Sequence, residues 1–130
     1  MQNDRSNPAI RVIMMPKDTN ARGTIFGGVI LSYIDQAAAI EAHKQSTKNF
    51  VTKAMNAVEF VAPVQLGDVV SFYSRVIRLG TTSVTVRVDV EAERFKEEQG
   101  KHFVKVTEAE VVCVSVDTSG RPVPFRDEVS

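Results

Sequence analysis

TIFGGVILSYIDQAAAIEAHK, residues 24–44, is the stretch whose surroundings decide the fold. It opens on a glycine pair, runs apolar for more than three turns and carries one charge, Asp35, between Gly23 and Ile40. On a helical wheel centred on Asp35, Gly28, Leu31, Ala38, Ala39 and Ala42 fall within about 60° of it, and Val29, Ile30, Tyr33, Ala37 and Ile40 lie opposite. A helix apolar on nearly every side is a buried helix, so other elements must wrap around it. A solvated or ion-paired aspartate is the commoner use of a mid-helix acid. Among such neighbours, however, partial burial raises a carboxylate's affinity for a proton and suits it to act as a base or nucleophile.

Outward from the helix, the chain reads almost entirely as strand. Residues 1–8 form a polar tail, and AIRVIMM (9–15) is a first strand stopped by Pro16. KDTNARG (17–23) is a loop of turn formers that feeds the helix, with Thr24 as its expected N-cap and Asn20 as the alternative. The helix should fade at His43 and Lys44, whose basic groups suit its negative end. Beyond the polar QSTKN, AMNAVEFVA (54–62) reads as a strand ended by Pro63. Residues 69–79 follow a turn at Gly67–Asp68 and are closed by Gly80. Residues 84–92 alternate Val84, Val86, Val88, Val90 and Ala92 with polar side chains. EEQG (97–100) predicts a hairpin turn into a last strand over 102–116, where Glu108 and Glu110 interrupt the apolar face and predict a bulge or an edge. Residues 117–130 read as an irregular tail. The expected class is α+β: a single domain, 1–130, with a long central helix wrapped by a curved antiparallel sheet of five to six strands.

Composition narrows the function. Sixteen basic and sixteen acidic side chains balance, so no global field favours nucleic acid or an anionic membrane. The lone cysteine, Cys113, excludes an internal disulfide framework and fits a reducing, cytoplasmic setting. No apolar run reaches the roughly 20 residues that span a bilayer. His43 and His102 are not spaced as a metal pair, so no metal is expected.

The remaining candidates cluster at the helix start. Gly27 and Gly28 suit a first turn where backbone approaches a ligand, because N–H groups there have no intrahelical partner and can bind a developing oxyanion. Close packing against a strand would use the same glycines. Gly28 and Asp35 share a face but stand ~10 Å apart along the axis, so a second copy of the helix is needed to bring donor and base to one carbonyl. Thr81, Thr82 and Ser83 after the Gly80 turn can cradle a phosphate, though a plain polar turn uses the same residues.

MPKDTNARGTIFGGVILSYID (15–35) resembles the hotdog-fold acyl-CoA thioesterases of the cytosolic acyl-CoA hydrolase group. VEFVAPVQLGD (58–68), GTTSV (80–84) and VDTSGRPVP (116–124) extend the likeness over most of the chain in the same order. The resemblance implies a hotdog fold, dimers whose sheets join edge to edge, frequent assembly into trimers of dimers, and active sites between protomers. It implies hydrolysis of an acyl-CoA thioester with Asp35 as general base or nucleophile. Thr24 of the facing chain would position water or substrate, and Phe26, Gly27 and Gly28 would polarise the carbonyl. Asn20 and Arg22 would shape the loop, and Thr82 and Ser83 would meet the nucleotide. No cofactor is implied beyond the coenzyme A of the substrate. The small residues Ala37, Ala38, Ala39 and Ala42 suggest room for an acyl chain. The rival readings are a dehydratase or isomerase of the same fold, which needs a histidine near the helix start, a non-catalytic acyl-CoA sensor, and an assembly module.

Overall fold

The computed structural model describes residues 5–96 and 100–126. Five strands and one long helix follow in chain order: β1 (Ile10–Ile13), α1 (Gly27–His43), β2 (Asn49–Asn56), β3 (Val69–Leu79), β4 (Ser83–Lys96) and β5 (Gly100–Val116). A short 3-10 turn, Pro16–Asp18, lies between β1 and α1.

β4 fixes the register. Its Val84, Val86, Val88, Val90 and Ala92 are all buried on the face that meets α1. Each valine contributes about 1.5–3 kcal/mol by leaving water, and a slip of one residue would turn all five outward. Antiparallel pairing then gives the order β1-β3-β4-β5-β2, curled around α1 as a half-barrel. The two free edges are β1 and β2. Of these, β2 is the longer, eight residues against four.

The helix is wrapped on one side only. Ile30, Ile34, Ala37, Ala38 and Ala42 face the sheet, whereas Gly28, Ser32, Gln36 and Ile40 form an exposed stripe. Five strands close half a barrel and leave this stripe uncovered in a single protomer. Of the small residues expected to leave acyl room, Ala37, Ala38 and Ala42 are fully buried in the core and only Ala39 is half-buried. The N-cap is Phe26, not Thr24 or Asn20, and its side chain makes no capping bond.

β2 lies further upstream than the expected 54–62 strand. Asn49–Asn56 pairs with β5, and Ala57, with φ of 57°, turns the chain out of the sheet. Residues 57–64 then run as a loop. It is captured by β5, where Thr107 Oγ1 donates to the Glu59 carbonyl (2.7 Å) and Val61 N–H donates to that of Val106 (2.9 Å). The register shift that makes this possible lies between Val90 and Glu91 of β4, opposite Lys105 and Thr107, just before the acidic pair that predicted it.

The ends are less loose than their composition suggests. Arg5 donates from Nε and Nη2 to both carboxylate oxygens of Glu91, each at 2.9 Å, and lies 3.7 Å from the centre of the Phe103 ring. This helps bury Glu91 on the outer face of the sheet. After β5, the chain bridges back at Val116–Pro122 and seats Phe125 against Phe50, with ring centres 5.8 Å apart. Residues 1–4, 127–130 and the hairpin expected at 97–99 lie outside the described residues.

Candidate active site

Asp35 sits half-buried in the middle of α1, on the flank between the packed face and the exposed stripe. Its Oδ1 accepts a hydrogen bond from the hydroxyl of Thr52 on β2. Thr52 pairs with Cys113 of β5, which lies beneath the carboxylate. Burial pushes the Cys113 thiol up to about 11, and the charge of Asp35 adds to the shift. The carboxylate is therefore anchored at one oxygen by a neutral donor, beside the free edge of the sheet.

The loop before the helix is built around Asn20. Its Oδ1 accepts from the N–H groups of Arg22 (2.9 Å) and Thr24 (3.2 Å), and its Nδ2 donates to Thr24 Oγ1 (3.1 Å). Backbone bonds from Asn20 N–H to the Thr24 carbonyl and from Gly23 N–H to that of Asn20 close the turn. Asp18 holds the same loop from beneath: it accepts from Met15 N–H (3.0 Å) and Lys17 Nζ (3.1 Å), in that order the causes that keep its carboxyl below the usual range. Its own carbonyl accepts from Phe26 N–H (2.9 Å). Asn20 and Thr24 thus face each other, while Arg22 is exposed.

Gly27 and Gly28 belong to the opening turn, whose N–H groups have no carbonyl four residues back. Close packing does not demand them. A Cβ on Gly27 would lie 3.8 Å from the Phe60 ring and one on Gly28 3.6 Å from the Phe26 ring, both ordinary contacts. The Phe26 side chain is exposed beside them. Next to Gly27 opens an apolar groove of about 310 Å³, lined by Ile25, Gly27, Ile30 and residues 60–64.

Thr82 and Ser83 stand at the start of β4, where Ser83 pairs with Val114, one residue along from Cys113. The Thr82 carbonyl is taken by Ser115 N–H (2.7 Å). His43 donates from Nδ1 to the Ala39 carbonyl (2.8 Å) and packs edge-on against Phe50, away from the helix start. Among the described residues, no three His, Cys, Asp or Glu side chains gather as they would around a metal ion, and no helix is long and apolar enough to cross a membrane.

A family model for the thioesterase superfamily matches residues 22–98, which span the helix start, Asp35, Thr52 and the groove. The chain belongs to the thioesterase superfamily. An uncharacterised acyl-CoA thioester hydrolase of Buchnera aphidicola is 40% identical over 127 residues, 95% of this chain and 94% of the relative. The acyl-CoA thioester hydrolase YciA of Salmonella typhimurium is 38% identical over 116 residues, 89% of this chain and 87% of the relative. The crystal structure of a hexameric hotdog-fold thioesterase of Campylobacter jejuni superposes with a TM-score of 0.90 at 42% identity, covering 97% of this chain and 95% of that one.

In this thioesterase-superfamily chain the sequence-derived residues fall into two groups. Asn20, Arg22, Thr24, Phe26, Gly27 and Gly28 gather at the helix start. Asp35 lies two turns on, toward β2 and the Thr82–Ser83 end of the sheet, ~10 Å along the axis from Gly28. One protomer does not bring the two groups together. Thr52, the hydrogen-bond partner of Asp35, went unread in the sequence: it lies in a strand whose exposed, polar residues give no period-2 signal.

Proposed function

We propose that this chain hydrolyses acyl-CoA thioesters to a carboxylic acid and coenzyme A at sites shared between two protomers. One observation carries the reading: Asp35, on a largely apolar helix, takes its hydrogen bond from Thr52 at the free sheet edge. The relatives named as acyl-CoA thioester hydrolases supply the substrate class.

The dimer forms by pairing of the β2 edges, whose unpaired N–H and C=O groups are a template for a second strand. This brings the Asp35 of one copy toward the helix start of the other. The acyl carbonyl then lies against the N–H groups of the Gly27–Gly28 turn, with Asn20 and Thr24 beside it to orient water or substrate. Asp35 takes a proton from the attacking water, or attacks the carbonyl itself to form a mixed anhydride that water then hydrolyses to the carboxylic acid and free Asp35. The oxyanion that develops is stabilised by the turn's N–H groups, each worth about 3 kcal/mol. Collapse expels coenzyme A as thiolate, a leaving group good enough that no metal or further cofactor is required. Thr82 and Ser83 meet the nucleotide, and Arg22 shapes the loop beside the bound substrate. The active form is a hexamer, like the Campylobacter jejuni thioesterase, built as a trimer of such dimers and working in the cytoplasm.

Free-thiol release from a panel of acyl-CoAs tests this, with Asp35→Asn and Asp35→Ala beside the parent. Loss of at least about 100-fold in kcat is expected in both variants. Full activity in either variant overturns the assignment of Asp35, and tight acyl-CoA binding without turnover in the parent identifies a sensor instead.

A further inference from the structure

We propose that the apolar groove beside Gly27 receives the acyl chain and sets the length of chain accepted, with Ala62 and Phe60 as the residues that set it. The inference rests on the acyl-CoA reading above and deepens it. The floor of the groove is Ile25 and Ile30, both buried, and its wall is residues 60–64. Every one of its eight lining side chains is apolar or absent, so it suits a hydrocarbon and offers nothing to a phosphate or a sugar. Gly27 lines it and belongs to the turn that the proposed reaction uses to hold the thioester carbonyl, so a chain leaving that carbonyl can enter directly. Its volume, about 310 Å³, is at the small end for ligand pockets, which run from roughly 300 to 1,000 Å³.

The wall is held firmly enough to impose a limit. Ile25 N–H donates to the Val64 carbonyl (2.9 Å), Val61 N–H to that of Val106 (2.9 Å), and Thr107 Oγ1 to that of Glu59 (2.7 Å). Arg94 Nη2 donates to the Pro63 carbonyl (3.2 Å). Four bonds, to β4, β5 and the segment before α1, leave the loop little freedom to yield. Ala62 is half-buried and small, so a larger side chain there shortens the space. Phe60 is exposed at the rim with its ring over Gly27, so truncating it lengthens the space without emptying the core.

The test is kcat/KM for straight-chain acyl-CoAs from acetyl to palmitoyl, with the parent, Ala62→Leu and Phe60→Ala, each sized by light scattering. In Ala62→Leu the ratio of kcat/KM for the longest chain the parent accepts to that for acetyl-CoA is expected to fall at least about tenfold, the discrimination one or more methylenes carry in an apolar pocket. Phe60→Ala is expected to move the optimum toward longer chains. Parallel profiles in all three proteins overturn the groove assignment while leaving the hydrolase reading intact. Uniform loss over every length, together with a smaller assembly, also overturns it and makes the groove a seat for a neighbouring protomer. A parent inactive on every thioester overturns both.

Discussion

The Thr52 hydroxyl donates to the Asp35 carboxylate and so ties the centre of α1 to the free-edge strand β2. It occupies one carboxylate oxygen and leaves the other for a proton or a carbonyl carbon. In the proposed reaction the bond therefore fixes which oxygen of Asp35 reacts. Thr52→Val keeps the shape and removes the donor. Hydrogen bonds to charged groups contribute about 1.5–3 kcal/mol, so kcat is expected to fall by about 10- to 100-fold, with KM far less affected. Thr52→Ser should recover most of the loss. Steady-state kinetics as a function of pH checks this, and an unchanged kcat in Thr52→Val would make the bond structural only.

Gly28 separates a folding role from a chemical one. Its added Cβ would meet only the Phe26 ring, at 3.6 Å, within the protomer. Alanine is also the better helix former, by about 0.5–1 kcal/mol in a helix interior. Gly28→Ala is therefore expected to unfold at the same temperature as the parent or a little above it. If the glycine is there to let a thioester or a facing protomer approach, the same variant loses at least about tenfold in kcat/KM. Thermal melts and thiol release on the same preparation decide this, and a fully active Gly28→Ala would remove the glycine from the site.

How far these features could be read beforehand depends on what each residue touches. The central helix and the register of β4 were legible because only one face of β4 is apolar: Val84, Val86, Val88, Val90 and Ala92 meet α1, while Thr85, Asp89 and Glu91, also buried, keep polar groups on the other face. The bulge opposite Val90 and Glu91 was legible too, since Glu108 and Glu110 cannot share that face. β2 was not. It is an edge strand with Thr52 and Lys53 in the open, and its end is set by the left-handed backbone of Ala57, a residue type that gives no turn signal. Displacing that strand hid Thr52, and with it the partner of Asp35. Thr24 failed as the N-cap because it lies three residues before the helix begins and its side chain is engaged by Asn20.

The pair Asp68–Arg94 fastens the loop that walls the groove. Arg94 donates from Nε (3.0 Å) and Nη2 (2.8 Å) to the two oxygens of Asp68, which is 2% exposed and also accepts from Gln65 N–H (2.9 Å). Arg94→Met strands that carboxylate in a dry site. Loss of one partner of a buried pair costs about 3–5 kcal/mol, and the half-open edge of Arg94 puts this one at the lower figure. Asp68→Asn with Arg94→Met should cost clearly less than Arg94→Met alone, because no uncompensated charge remains. Urea unfolding of the parent, the single and the double variant measures both, and an additive double would mean the two residues act independently.

Cys113 reports on the charge state of Asp35. Its thiol is held up at about 11, first by burial and then by the Asp35 carboxylate. In an unfolded chain a thiol titrates near 8.5. Between these values the unfolded state loses a proton that the folded state keeps, so stability falls as pH rises from about 8.5 toward 11 and levels off above it. Asp35→Asn removes the negative charge, which moves the folded thiol's titration downward and makes the alkaline loss of stability smaller. Thiolate absorbance at 240 nm followed against pH, in the parent and in Asp35→Asn, checks the direction. An identical titration in the two proteins would mean that Asp35 does not lie over Cys113 as a carboxylate, and would withdraw the geometry on which the Thr52 prediction depends.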